Sequence, residues 1–160
     1  MRGSRKRGRN KMETQAVKKG LCAVIAAFLL SSLSVILVPF SINGTSELNQ
    51  VGYVSGILFW AGLLAGSGGY FFLYYKIKNK IQQNVDYPKR PAIICFFSNR
   101  AGTINDAVLI ISIVVSIYCA VKITVNQTVA LIFLFLLLLS IYGHFIFNGK
   151  IYRYICKKKK

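Results

Sequence analysis

Acidic residues are almost missing from this sequence: Glu13, Glu47, Asp86 and Asp106 stand against 21 Lys and Arg in 160 residues. Histidine is scarcer still, with His144 alone. One His and one carboxylate within the apolar segments exhaust the inventory and no Ser-His-acid set is positioned to work, so no catalytic residue and no enzymatic function are expected. Cys22, Cys95, Cys119 and Cys156 form no CxxC pair and share no metal-site spacing with His144, which argues against a structural zinc and against redox chemistry. A GxxxxGKS/T loop for cradling phosphate is also lacking. No cofactor or metal is therefore expected.

Charge of either sign is absent from long stretches. Hydrophobic residues make up 54% of the chain and charged residues 16%, with mean hydropathy +0.51, whereas soluble domains average about 25% charged. Most of the chain belongs in lipid. Residues 21–42, 51–75, 106–125 and 128–147 each reach the roughly 20 residues that a helix needs to cross a bilayer. The first follows a basic stretch, as a secretory signal would. Its apolar run is too long for such a signal and no A-x-A-like site follows it, so it reads as an uncleaved anchor.

What the chain does have is positive charge on one side. Residues 1–20 carry a net +7, residues 76–104 a net +5 and residues 150–160 a net +6, and Lys122 alone lies elsewhere. The positive-inside rule then places both termini in the cytosol. The expectation is an all-α membrane protein, a four-transmembrane-helix bundle with two short outside loops and one longer cytosolic loop at 76–105. Residues 1–20 read as a flexible basic arm and 148–160 as a basic tail with interfacial tyrosines. Pro88 and Pro91 bar a continuous helix through the long loop, and the apolar segment 92–97 is expected at the interface, flanked by Arg90 and Arg100. Three basic blocks beside membrane spans suit anionic lipids of the cytosolic leaflet, at about 1 kcal/mol per residue. Nucleic acid is not an expected partner, because no aromatic platform is interleaved with the basic runs.

Smaller signals add less. Asn43-Gly44-Thr45 and Asn126-Gln127-Thr128 are sequons in the expected outside loops, and they matter only in a host that glycosylates. Juxtamembrane Cys22 and Cys156 are palmitoylation candidates in a eukaryote. Heavy use of Ile, Phe, Tyr, Asn and Lys suggests instead an AT-rich genome such as that of a low-GC bacterium, and with it a bacterial cell membrane.

Two constellations stand out. In the second span Ser55, Gly62, Gly66 and Gly69 fall on one face. Small residues let helix backbones approach closely, so this stripe is a packing face, either for the Ala23/Ala27/Ser34 side of the first span or for another subunit. Asp106 and His144 form the second. They sit at similar depth on helices joined by a two-residue turn, which makes those helices antiparallel neighbours. Ionisable groups within a membrane are functional candidates, and Asp–His pairs carry protons in relays. A structural account competes: Asp106 as a helix N-cap, His144 against a helix C-terminus, both partly hydrated. Ser112, Ser116 and Cys119 share one face of the third span and read as a helix contact.

The function expected from these features is that of a non-catalytic accessory or scaffolding membrane component, with a partner membrane protein or a second copy as candidate associates. The alternative is a small transporter or channel with Asp106 and His144 at a cytosolic vestibule.

Overall fold

A computed structural model describes residues 2–40, 50–82, 95–122 and 127–157, with side chains from Met12 to Cys156. The expected outside loop at 41–49, Pro88 and Pro91, residues 92–94 of the expected interfacial segment, residues 123–126 and the terminal lysines 158–160 lie outside the described residues, and both sequons fall wholly or partly there. The described residues form five α-helices: α1 (Arg2–Leu33), α2 (Gln50–Gln82), α3 (Arg100–Val121), α4 (Gln127–Phe147) and α5 (Lys150–Lys157). A 3-10 segment, Ser34–Phe40, continues α1. No strand occurs among the described residues. Four helical segments are long and apolar enough to cross a membrane. In a medium without water a chain must satisfy its backbone groups internally, which an uninterrupted helix does.

The four segments differ in length, and the difference shapes the molecule. With 22 and 21 residues, α3 and α4 rise just over 30 Å at 1.5 Å per residue, the thickness of a hydrocarbon core. The 33 residues of α2 rise about 50 Å. Lys76, Lys78 and Lys80 therefore do not end the second helix; it runs through them to Gln82. Likewise the expected arm at 1–20 is helical from Arg2 and continuous with α1. The reason lies in its few apolar residues: Val17 is 3% exposed, and Gly20 lies flat against Leu73.

The expected tail is also a helix. Along α5, Ile151, Tyr154 and Ile155 are buried in one cluster with Val17 and Leu21 of α1 and Leu73, Ile77 and Ile81 of α2. The overhanging ends of α1 and α2, together with α5, thus form a head whose apolar interior is continuous with the bundle core at Val24, Phe28, Tyr142 and Ile146. Glu13 pairs with Lys80 on its surface.

Beyond the head the helices form two antiparallel hairpins, α1/α2 and α3/α4. They meet chiefly where α4 crosses α1. There the Phe28 and Tyr142 rings stack at 4.4 Å, and the Ser31 and Tyr142 hydroxyls lie 3.3 Å apart. The far end of α1 tightens into the 3-10 segment around Pro39. Proline lacks an N–H and pushes the preceding residue, here Val38, away from the α conformation. Large apolar side chains cover the outside, among them Leu64, Phe71 and Phe72 of α2 and Ile111, Val114 and Ile117 of α3.

Candidate functional site

The glycine stripe faces α1. A Cβ on Gly62 would stand 2.6 Å from the Ala27 carbonyl oxygen and 2.7 Å from the Ser31 nitrogen, so backbone meets backbone there. At Gly66 it would stand 2.7 Å from the Phe28 ring, and at Gly69 3.0 Å from Val24. Ser55 closes the series by donating its hydroxyl to the Ser34 carbonyl at 2.8 Å. All four residues therefore share one partner face, that of Val24, Ala27, Phe28, Ser31 and Ser34. Ala23, expected within it, is exposed instead.

Asp106 and His144 are brought together. The His144 Nδ1 lies 2.8 Å from the Asp106 Oδ1, with the carboxylate 0% and the imidazole 5% exposed. This corrects the expectation of partial hydration. Residues 96–99 fold across the pair, and the Phe96 ring lies 4.5 Å from the imidazole centre. Asp106 is not the helix cap either. That role belongs to Asn99, whose Oδ1 accepts from the Gly102 N–H at 2.9 Å. Asp106, in the second turn, accepts from the Phe97 backbone N–H at 2.7 Å. Phe97 has φ 55°, a left-handed conformation uncommon for a bulky residue. That backbone bend aims its N–H at the carboxylate.

The third partner was not foreseen. Asn148 lies one residue beyond α4 and is 2% exposed. Its Nδ2 stands 3.0 Å from each Asp106 oxygen. Its Oδ1 accepts from the Ser98 hydroxyl at 2.6 Å and from the Ser98 N–H at 3.3 Å. Asn99 adds a bond from its Nδ2 to the Phe147 carbonyl at 2.7 Å. One turn deeper, Asn105 donates to the Ser140 carbonyl at 2.9 Å. The sequence held a signal for Asn148, because it follows His144 by four positions and continues its face past the apolar run.

These contacts assign the hydrogens. Ionised Asp106 is only an acceptor, so the His144 Nδ1 donates to it and the Asn148 amide donates across both of its oxygens. The 3.1 Å approach of Asn148 Nδ2 to His144 Nδ1 is then proximity between two donors rather than a bond. The His144 Nε2 is buried with no hydrogen-bond partner among the described residues.

The remaining polar face is less engaged. Ser112 is 1% exposed, and its hydroxyl and that of half-buried Ser116 find no partner among the described residues. Cys119 is half-buried on the same helix. In the head, burial and the neighbouring Cys156 thiol push the pKa of the Tyr152 hydroxyl upward, which keeps that phenol neutral. No group of three or more metal-ligating side chains occurs among the described residues. Comparison with protein-family models, with curated proteins and with solved structures finds no match to this chain.

Proposed function

We propose that this chain is a non-catalytic, multi-pass membrane scaffold of four spans with both termini in the cytosol, in the cell membrane of a bacterium. The observation that supports it most is the head. Parts of three basic blocks, separate in sequence, converge there because α1, α2 and α5 share one apolar interior. Lys18, Lys19, Lys76, Lys78, Lys80, Lys150 and Arg153 lie on those same helices. Such a rigid basic end beside the bilayer suits the anionic cytosolic leaflet and an associated membrane partner.

The polar cluster supports a structural part for Asp106. Each of its oxygens is met from two directions, and the carboxylate binds the 95–99 segment to the end of α4. A small transporter or channel using Asp106 and His144 is the second reading, supported by the unmet Nε2 of His144.

Reconstituted vesicles separate the two. Under the scaffold reading, wild-type and Asp106→Asn vesicles show the same proton and ion leak as empty ones, and an impermeant maleimide reaches exposed Cys156 only from the cytosolic face. Proton-linked flux that disappears in Asp106→Asn would transfer the assignment to the transporter reading. Labelling of Cys156 from the opposite face would reverse the topology.

A further inference from the structure

We infer that the groove between α3 and α4 is a binding site for one anionic phospholipid of the charged-side leaflet, with its acyl chain along the groove and its phosphate at Arg100. The inference rests on the membrane reading proposed above and adds a residue-level site to it. The groove has a volume of about 440 Å³ and is lined by Ala101, Ile104 and Val108 of α3 and Leu136, Leu139 and Phe147 of α4. That volume lies within the range of roughly 300–1,000 Å³ typical of small-ligand clefts. Its walls are apolar except for Asn105 and Ser140, which are already bonded to each other.

Length and charge select the occupant. From Leu136 to Phe147 the helix rises about 16 Å, half of a ~30 Å hydrocarbon core. The groove therefore reaches from one membrane face to the midplane, as a single acyl chain does. Arg100, the first residue of α3, directly precedes Ala101 of the groove wall and lies at the edge of that wall, one helical turn before Ile104. Arg100 is exposed and makes no ion pair among the described residues. Lys150 opens α5 three residues beyond Phe147. The nearby carboxylate, Asp106, is 0% exposed and its oxygens are met by His144, Asn148 and Phe97. The mouth is thus positive and the walls apolar. A planar guanidinium suits a phosphate, which it can meet with two parallel bonds.

The test uses the full chain in nanodiscs containing equal amounts of phosphatidylglycerol and phosphatidylcholine, one of the two carrying a diazirine on its acyl chain. After illumination, cross-links on 101–108 and 136–147 are compared with those on the exposed α2 face around Leu64 and Phe71. Phosphatidylglycerol is expected to label the groove in preference to phosphatidylcholine, with little preference on α2. Arg100→Gln should reduce the groove preference about fivefold, the effect of one basic residue at an anionic surface. Arg100→Lys should retain most of it, and Ala101→Phe should lower groove labelling by both lipids. Because Arg100 is exposed, its variants decide the matter even if Ala101→Phe fails to fold. Equal labelling by the two lipids, or an unchanged preference in Arg100→Gln, overturns the site while leaving the membrane reading in place. A disulfide-trappable second copy covering the groove, with no lipid labelling there, overturns it in favour of a dimer. Failure of the chain to enter nanodiscs at all removes the membrane reading and the site with it.

Discussion

The two hairpins hold together by different means. Between α1 and α2 the partners are backbone and small side chains: Gly62 against the Ala27 carbonyl, Gly66 against the Phe28 ring, Gly69 against Val24. Between α3 and α4 the joint is polar and lies near one end, where Asp106, His144 and Asn148 bond across the helix ends and hold residues 97–99. Lipid tails are as apolar as Leu, so apolarity alone does not join helices in a bilayer. Close approach answers that problem along the whole length of a contact, and its strength depends on having no side chain there. A buried polar cluster answers it at one point, and its strength depends on every member being present. The first kind of joint should fail by addition, the second by subtraction.

Within either hairpin, addition at Gly62 should do the most damage. An Ile there places its Cβ against the Ala27 carbonyl oxygen and the Ser31 nitrogen, and neither can swing aside as a side chain could. A loss of about 3 kcal/mol is expected, at the upper end of ordinary overpacking. It should appear as an earlier transition when the detergent-solubilised protein is unfolded by heat or SDS. Gly66→Ala sharpens the point, since its obstacle is the Phe28 ring, which can rotate, and the cost should be nearer ~1 kcal/mol. Equal losses at the two positions would mean that the backbones separate readily and that close approach is not what holds this hairpin.

Subtraction at Asp106 comes next. Asp106→Ala leaves the Phe97 N–H, the Asn148 amide and the His144 Nδ1 without their acceptor, and a loss of about 2 kcal/mol is expected from unmet buried donors. Asp106→Asn keeps one carbonyl oxygen and should cost about half as much, at ~1 kcal/mol. In addition, Asp106→Ala should raise hydrogen exchange and proteolysis at residues 95–99, whereas Gly62→Ile should leave that segment protected. Matched exchange in both variants would show one cooperative unit rather than two separate joints.

How far these joints could be read in the sequence follows from the same distinction. Apolar runs state their own span, and the glycine face is visible because 100° per residue puts Ser55, Gly62, Gly66 and Gly69 together. The juxtaposition of Asp106 and His144 followed from the short connection between their helices. What was not legible depended on segments that polarity labels as loop or tail. Asn148 and Ser98 gain their meaning only when 96–99 folds over the pair. Val17, Ile151 and Tyr154 are too sparse to mark a core in their own stretches; burial comes from bringing three such stretches together. The lysines of α2 mark an expected boundary for lipid, and a boundary for lipid is not one for a helix, which continues to Gln82.

The smallest expected effect is that of Tyr142→Phe at the contact between the hairpins, where both kinds of joint occur side by side. Tyr142 stacks on Phe28 at 4.4 Å and also brings its hydroxyl 3.3 Å from that of Ser31. The oxygen separation is long for a hydroxyl pair, whereas the ring is 8% exposed and fills space that nothing else occupies. Tyr142→Phe removes only the polar contact and should cost about 0.6 kcal/mol, the average for hydrogen bonds between membrane helices. Tyr142→Ala removes the ring as well and should cost about 3 kcal/mol. A Phe variant as damaging as the Ala variant would place the strength of this contact in the hydroxyl pair, and the two hairpins would then be joined by subtraction-sensitive chemistry like that at Asp106. A near-silent Phe variant makes the contact between hairpins a packing joint, with the polar bond limited to fixing which side of α4 faces α1.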